Sequence, residues 1–105
     1  MVYNAQYFID KFSVIPDNRW ITGYLGDSDE PDGEHCALGH CGLRDSRDWT
    51  KEATSLNNLF RELGFLNKNP RAVVNVNDQS YDCPGESTPK ERILIKLLEA
   101  QEYGL

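Results

Sequence analysis

Arg19-Trp20-Ile21-Thr22-Gly23-Tyr24-Leu25 is the stretch on which the fold class turns. Its β-branched and aromatic side chains suit a pleated, half-buried surface, so it reads as a short strand, with Gly23 placed for a bulge or a close backbone approach. A partner is at hand in Arg71-Ala72-Val73-Val74-Asn75-Val76-Asn77, valine-rich and preceded by Pro70. Asn77-Asp78-Gln79-Ser80 would follow it as a turn. Pairing the two segments gives a short two-stranded sheet and makes the domain α+β.

Outward from these strands the chain is helical in pattern. Ala5, Phe8, Ile9 and Phe12 recur at i, i+3, i+4 and i+7, with Asn4 placed to cap this first helix and Pro16 to end it. His35-Cys36-Ala37-Leu38-Gly39-His40-Cys41-Gly42-Leu43 sets small residues around two leucines, which suits a short helix packed close to another backbone. From Thr54 to Leu63, Leu56, Leu59, Phe60 and Leu63 form a stripe, and Gly64 stands where a left-handed C-cap is expected. Thr88-Pro89-Lys90-Glu91 is a capping box with proline at the first helical position. It opens a helix whose face is Ile93, Leu94, Leu97, Leu98 and Gln101, with Gly104 near its end. The expected order is α-β-α-α-β-α, a small helix-rich α+β fold in one domain spanning residues 1–105.

The chain's 105 residues fit one compact domain, since domains run from roughly 50 to 250 residues. A mean hydropathy of −0.60 and 27% charged residues predict a well-solvated surface over that core. The net charge of −6 repels phosphate backbones and anionic lipid, which disfavours direct nucleic-acid binding and a membrane surface. A small anionic ligand stays open, because a few basic groups or a helix N-terminus create a local positive site on an acidic protein. Three cysteines, Cys36, Cys41 and Cys83, are an odd number for a disulfide framework, and they are expected as reduced thiols. The start MVYNAQYFIDKF carries Asp10 and no basic leader, and no run nears the about 20 apolar residues of a membrane span. A cytoplasmic location is expected.

Trp20-Ile21-Thr22-Gly23, Cys36-Ala37-Leu38-Gly39, Asn77-Asp78 and Thr88-Pro89-Lys90-Glu91-Arg92-Ile93-Leu94, taken together, resemble a family of short phage and actinobacterial proteins known only as a domain of unknown function. The resemblance covers most of the chain, though His40-Cys41-Gly42 is not part of the pattern. It implies a shared fold and, from the company such proteins keep, an accessory role exercised by binding a host protein or a small signal molecule.

Four groups of residues carry chemistry. Trp20, Asn77 and Asp78 with Cys36, Gly39 and His40 supply the parts of a small-ligand pocket: an aromatic face for stacking, an amide and a carboxylate for hydroxyls or ring nitrogens, and glycine for close backbone approach. The plainer reading puts Trp20 in the core and Asn77-Asp78 in a turn. Cys36 and His40, at i and i+4, have a spacing that can chelate zinc with Cys83 as a third ligand, but there is no CxxC pair and no HExxH, and a fourth ligand is needed. Cys36 with His40 or His35 is also the pair a thiol-dependent hydrolase would use. Finally, Asp27, Asp29, Glu30, Asp32 and Glu34 lie in an acidic loop whose order departs from a calcium-binding EF-hand, with Pro31 at the fifth position and Leu38 at the twelfth. That loop is solvated or, alternatively, imitates phosphates toward a basic, nucleic-acid-binding partner.

The residues point to binding in preference to catalysis. The partner expected is a small, nucleotide-like molecule or a host protein, met through Trp20, Cys36, Gly39, His40, Asn77 and Asp78. No cofactor, catalytic residue or metal is assigned, and self-association through a leucine face such as Leu94, Leu97 and Leu98 is open.

Overall fold

The structure, a computed structural model, describes residues 3–22, 35–43, 47, 49–63, 73, 77–78 and 88–105. Four α-helices are delimited there: α1 at Ala5–Ser13, α2 at Ala37–His40, α3 at Lys51–Glu62 and α4 at Pro89–Glu102. A single 3-10 turn at Asp17–Arg19 follows α1, and no helix among the described residues is long and apolar enough to cross a membrane.

The expected two-stranded sheet is absent from the described residues, and the α+β assignment is corrected to a helical fold. Of the first presumed strand, Arg19 ends the 3-10 turn and Trp20 makes only an isolated parallel bridge to His35. That bridge consists of two hydrogen bonds, Ile21 N–H to His35 O at 3.2 Å and His35 N–H to Arg19 O at 3.0 Å. Trp20 is buried in the core, so its aromatic bulk serves packing between helices where the pattern suggested a pleated surface. The second presumed strand fails for a different reason. Val73, Asn77 and Asp78 have helical backbone, and Val73 and Asn77, four residues apart, are both fully buried. Gly23, the 26–34 acidic loop, Gly64 and Cys83 lie outside the described residues.

Helices α1, α3 and α4 each begin at a local side-chain cap, whereas Cys36 before α2 provides none. Asn4 Oδ1 accepts from the Tyr7 N–H at 2.9 Å, capping α1. Thr88 Oγ1 accepts from the Glu91 N–H at 3.1 Å while Glu91 Oε1 accepts from the Thr88 N–H at 3.3 Å, completing the capping box of α4. Helix α3 starts three residues earlier than its leucine stripe suggests, because Thr50 Oγ1 accepts from the Ala53 N–H at 3.0 Å. The same hydroxyl donates to Cys41 O at 2.8 Å, tying the start of α3 to the end of α2. Gly42 turns the chain there with φ +90°, a conformation that favours glycine.

Helices α1 and α4 form the main packing layer and run antiparallel. Ala5 N–H meets Leu105 O at 3.3 Å and Gln101 bonds Gln6 at one end, while Lys90 Nζ donates to Ser13 O at 3.1 Å at the other. Phe8 and Phe12 of α1, Leu38 of α2, Leu56 and Phe60 of α3, and Ile93 and Leu97 of α4 fill the core. The buried side of α4 also includes Arg92 and Lys96, whereas Leu98 is 52% exposed and Leu94 half-buried. The inward stripe is therefore rotated from the leucine face read in the sequence.

Candidate functional site

From Tyr3 a line of aromatic rings runs through the molecule. Phe8 and Phe12 stack at 5.9 Å between centroids, Phe12 meets Trp20 edge-on at 5.2 Å, Trp20 lies 4.8 Å from His40, and His40 lies 5.4 Å from His35. The line leads from the core of α1 and α4 to the short helix α2. There the predicted site residues do come together.

Asn77 is the centre of that convergence. Its side chain is fully buried, Oδ1 accepts from the Ala37 N–H at 3.0 Å, and Nδ2 donates to Ile21 O and to Asp78 Oδ1, both at 2.9 Å. Its main-chain carbonyl accepts from the Arg92 guanidinium. One residue thus joins the Trp20 segment, the N-terminus of α2 and helix α4, so the expectation of an Asn77-Asp78 turn gives way to a helical joint. His40 is half-buried and its Nε2 lies 2.9 Å from Arg19 O; a carbonyl only accepts, so Nε2 carries the proton. Gly39 is buried within α2, its carbonyl accepting from the Gly42 N–H at 3.0 Å. Trp20 is 7% exposed, with its indole N–H buried and without a hydrogen-bond partner.

The thiols are buried too. Desolvation pushes the Cys36 thiol above its ordinary value, a shift that the N–H groups of Gly39 and Leu38 only partly offset. Cys41 is pushed up more strongly, first by burial and then by the Glu52 carboxylate. Activation for nucleophilic attack requires the opposite, a depressed pKa and access. For the zinc reading, His40 Nε2 is engaged by Arg19 O, and among the described residues no three His, Cys, Asp or Glu side chains are placed to hold a metal ion. The side chains converge as parts of a scaffold and bond chiefly to the main chain around them.

Two constellations escaped the sequence. On the facing sides of α1 and α3, Lys11 Nζ pairs with Glu52 Oε1 at 2.8 Å and the Tyr7 hydroxyl donates to Glu52 Oε2 at 3.0 Å. Burial, and then the Glu52 carboxylate, raise the Tyr7 hydroxyl to about 12, so it stays protonated at neutral pH. The i, i+4 spacing of Tyr7 and Lys11 was the available signal. The second is an open hollow of about 360 Å³ lined by Tyr3, Trp49, Lys51, Thr54 and Ser55. Its only signal was Thr50 as an N-cap, which puts Lys51, Thr54 and Ser55 on one helical face.

These features define a small helical protein with a polar interior joint. Compared with known proteins, the chain matches no family model, no curated protein and no solved structure.

Proposed function

We propose that the protein is a non-catalytic accessory of the phage type that binds a basic surface on another protein. The observation that carries this reading is the outer face of α4. Leu98 is 52% exposed there, and Ile95 beside it is half-buried. Glu91 and Glu102 are exposed on the same helical side, at positions spaced 91, 95, 98 and 102. An apolar centre with carboxylates at both ends, on a chain of net charge −6, complements a basic partner with an apolar ridge. Trp20, Cys36, Gly39, His40, Asn77 and Asp78 serve the function by fixing α2 and the Trp20 segment against α4. The raised thiol pKa values of Cys36 and Cys41 support binding over thiol catalysis.

The test is capture from a bacterial lysate by the immobilised wild-type protein and by a Leu98→Ser/Glu102→Lys variant, each at low and high salt. A basic protein retained by the wild type at low salt, released by high salt and lost in the variant is the expected result. Equal retention by both proteins, retention indifferent to salt, or no retained protein would contradict the reading.

A further inference from the structure

We infer that the hollow lined by Tyr3, Trp49, Lys51, Thr54 and Ser55 is a binding site for a mononucleotide, separate from the α4 face. Its volume of about 360 Å³ falls within the range of small-molecule sites. The lining is divided by chemistry. Tyr3 and Trp49, far apart in sequence, supply aromatic surface; Lys51, Thr54 and Ser55 supply one ammonium and two hydroxyls from the first turns of α3.

The aromatic side is held in place before any ligand arrives. Tyr3 packs edge-on against Tyr7 at 5.0 Å and stacks over Phe8 at 6.2 Å, so its ring continues the core's aromatic line. Trp49 stays 40% exposed, leaving part of a large indole for a planar group to cover. The polar side rests on a set backbone, because Lys51, Thr54 and Ser55 stand at i, i+3 and i+4 on a helix whose cap is formed by Thr50.

A ligand matching this lining has a flat ring to stack on Tyr3 and Trp49, hydroxyls to meet Thr54 and Ser55, and an anionic group for Lys51. A nucleoside monophosphate has all three. Two carboxylates adjoin the lining in sequence, Asp48 beside Trp49 and Glu52 beside Lys51; Glu52 is paired with Lys11 at 2.8 Å and accepts from the Tyr7 hydroxyl, so it does not repel a phosphate at full strength. The N-terminal end of α3 adds a positive dipole. On an acidic protein this is a local place for an anion.

Isothermal titration calorimetry with adenosine 5′-monophosphate, adenosine and ribose 5-phosphate tests the inference on the intact chain. Saturable binding of the monophosphate is expected, with adenosine and ribose 5-phosphate each weaker by about tenfold or more, since each lacks one of the anchoring groups. Lys51→Ala, an exposed position, should lower the monophosphate affinity by about tenfold and leave that for adenosine unchanged. Trp49→Ala should abolish binding of both. No saturable heat with the monophosphate, equal affinity for adenosine, equal affinity for ribose 5-phosphate, or an unaltered titration in Lys51→Ala would overturn the assignment.

Discussion

Asn77 has a side chain with one acceptor and two donor hydrogens, and inside the protein all three are used, on Ala37, Ile21 and Asp78. A buried amide in that position holds three segments at fixed distances, and truncation leaves the Ala37 N–H and the Ile21 carbonyl without their partner. Asn77→Ala should lower stability by about 3 kcal/mol, read as a fall in the urea unfolding midpoint. The thiols make a second prediction at this scale. Burial raises Cys36 from 9.0 and raises Cys41, so the folded state holds these protons more tightly than the unfolded chain does. Their contribution to stability is complete below the ordinary thiol value and falls as the pH rises past it. In reducing buffer the urea midpoint should therefore decline from about pH 8 toward about pH 10, and the Cys36→Ala/Cys41→Ala variant should show a shallower decline. A midpoint with the same slope in both proteins would remove the thiols from the account.

At the scale of elements, what was legible followed from how much of the signal is local. The Asn4 cap and the Thr88 capping box act through neighbouring residues, so the starts of α1 and α4 could be read from the chain. Thr88→Ala should cost about 1 kcal/mol, measured by thermal or urea unfolding. Gly42→Ala should cost a similar amount, about 1 kcal/mol, because φ +90° disfavours a Cβ. The added methyl carbon would stand 3.4 Å from Thr50 Cγ2, ordinary contact at its tight edge. The two expected strands do not form because β-rich composition at Trp20 and Val73 reflects burial among helices, a property of the tertiary packing. The buried face of α4 was misplaced for a related reason. Arg92 and Lys96 are 6% and 3% exposed, and their long stems bury like apolar groups although their heads are charged. A stripe drawn through hydrophobic letters alone passes them by and takes in the exposed Leu98.

For the molecule as a whole, the residues read from the sequence as parts of one pocket do become neighbours, and there they serve as packing and hydrogen-bonding groups. Trp20, Cys36, Gly39, His40 and Asn77 do meet, because small residues in α2 allow close approach and Asn77 bonds its N-terminus. Whether such a cluster opens to a ligand or closes on itself depends on burial and hydrogen-bond partners, which residue types do not encode. The Tyr3 and Trp49 hollow was beyond reach for the converse reason: its walls come from segments that only folding makes neighbours. In the proposed function, binding belongs to the outer surface and the Cys36 and Cys41 region is inert interior. That claim is tested most directly by alkylating the native, reduced protein with iodoacetamide and mapping the modified cysteines by peptide mass spectrometry. Cys36 and Cys41 should remain unmodified in the native protein and become labelled only once urea unfolds it. Rapid labelling of Cys36 in the native state would contradict the account and return the Cys36 and His40 pair to consideration as a reactive site.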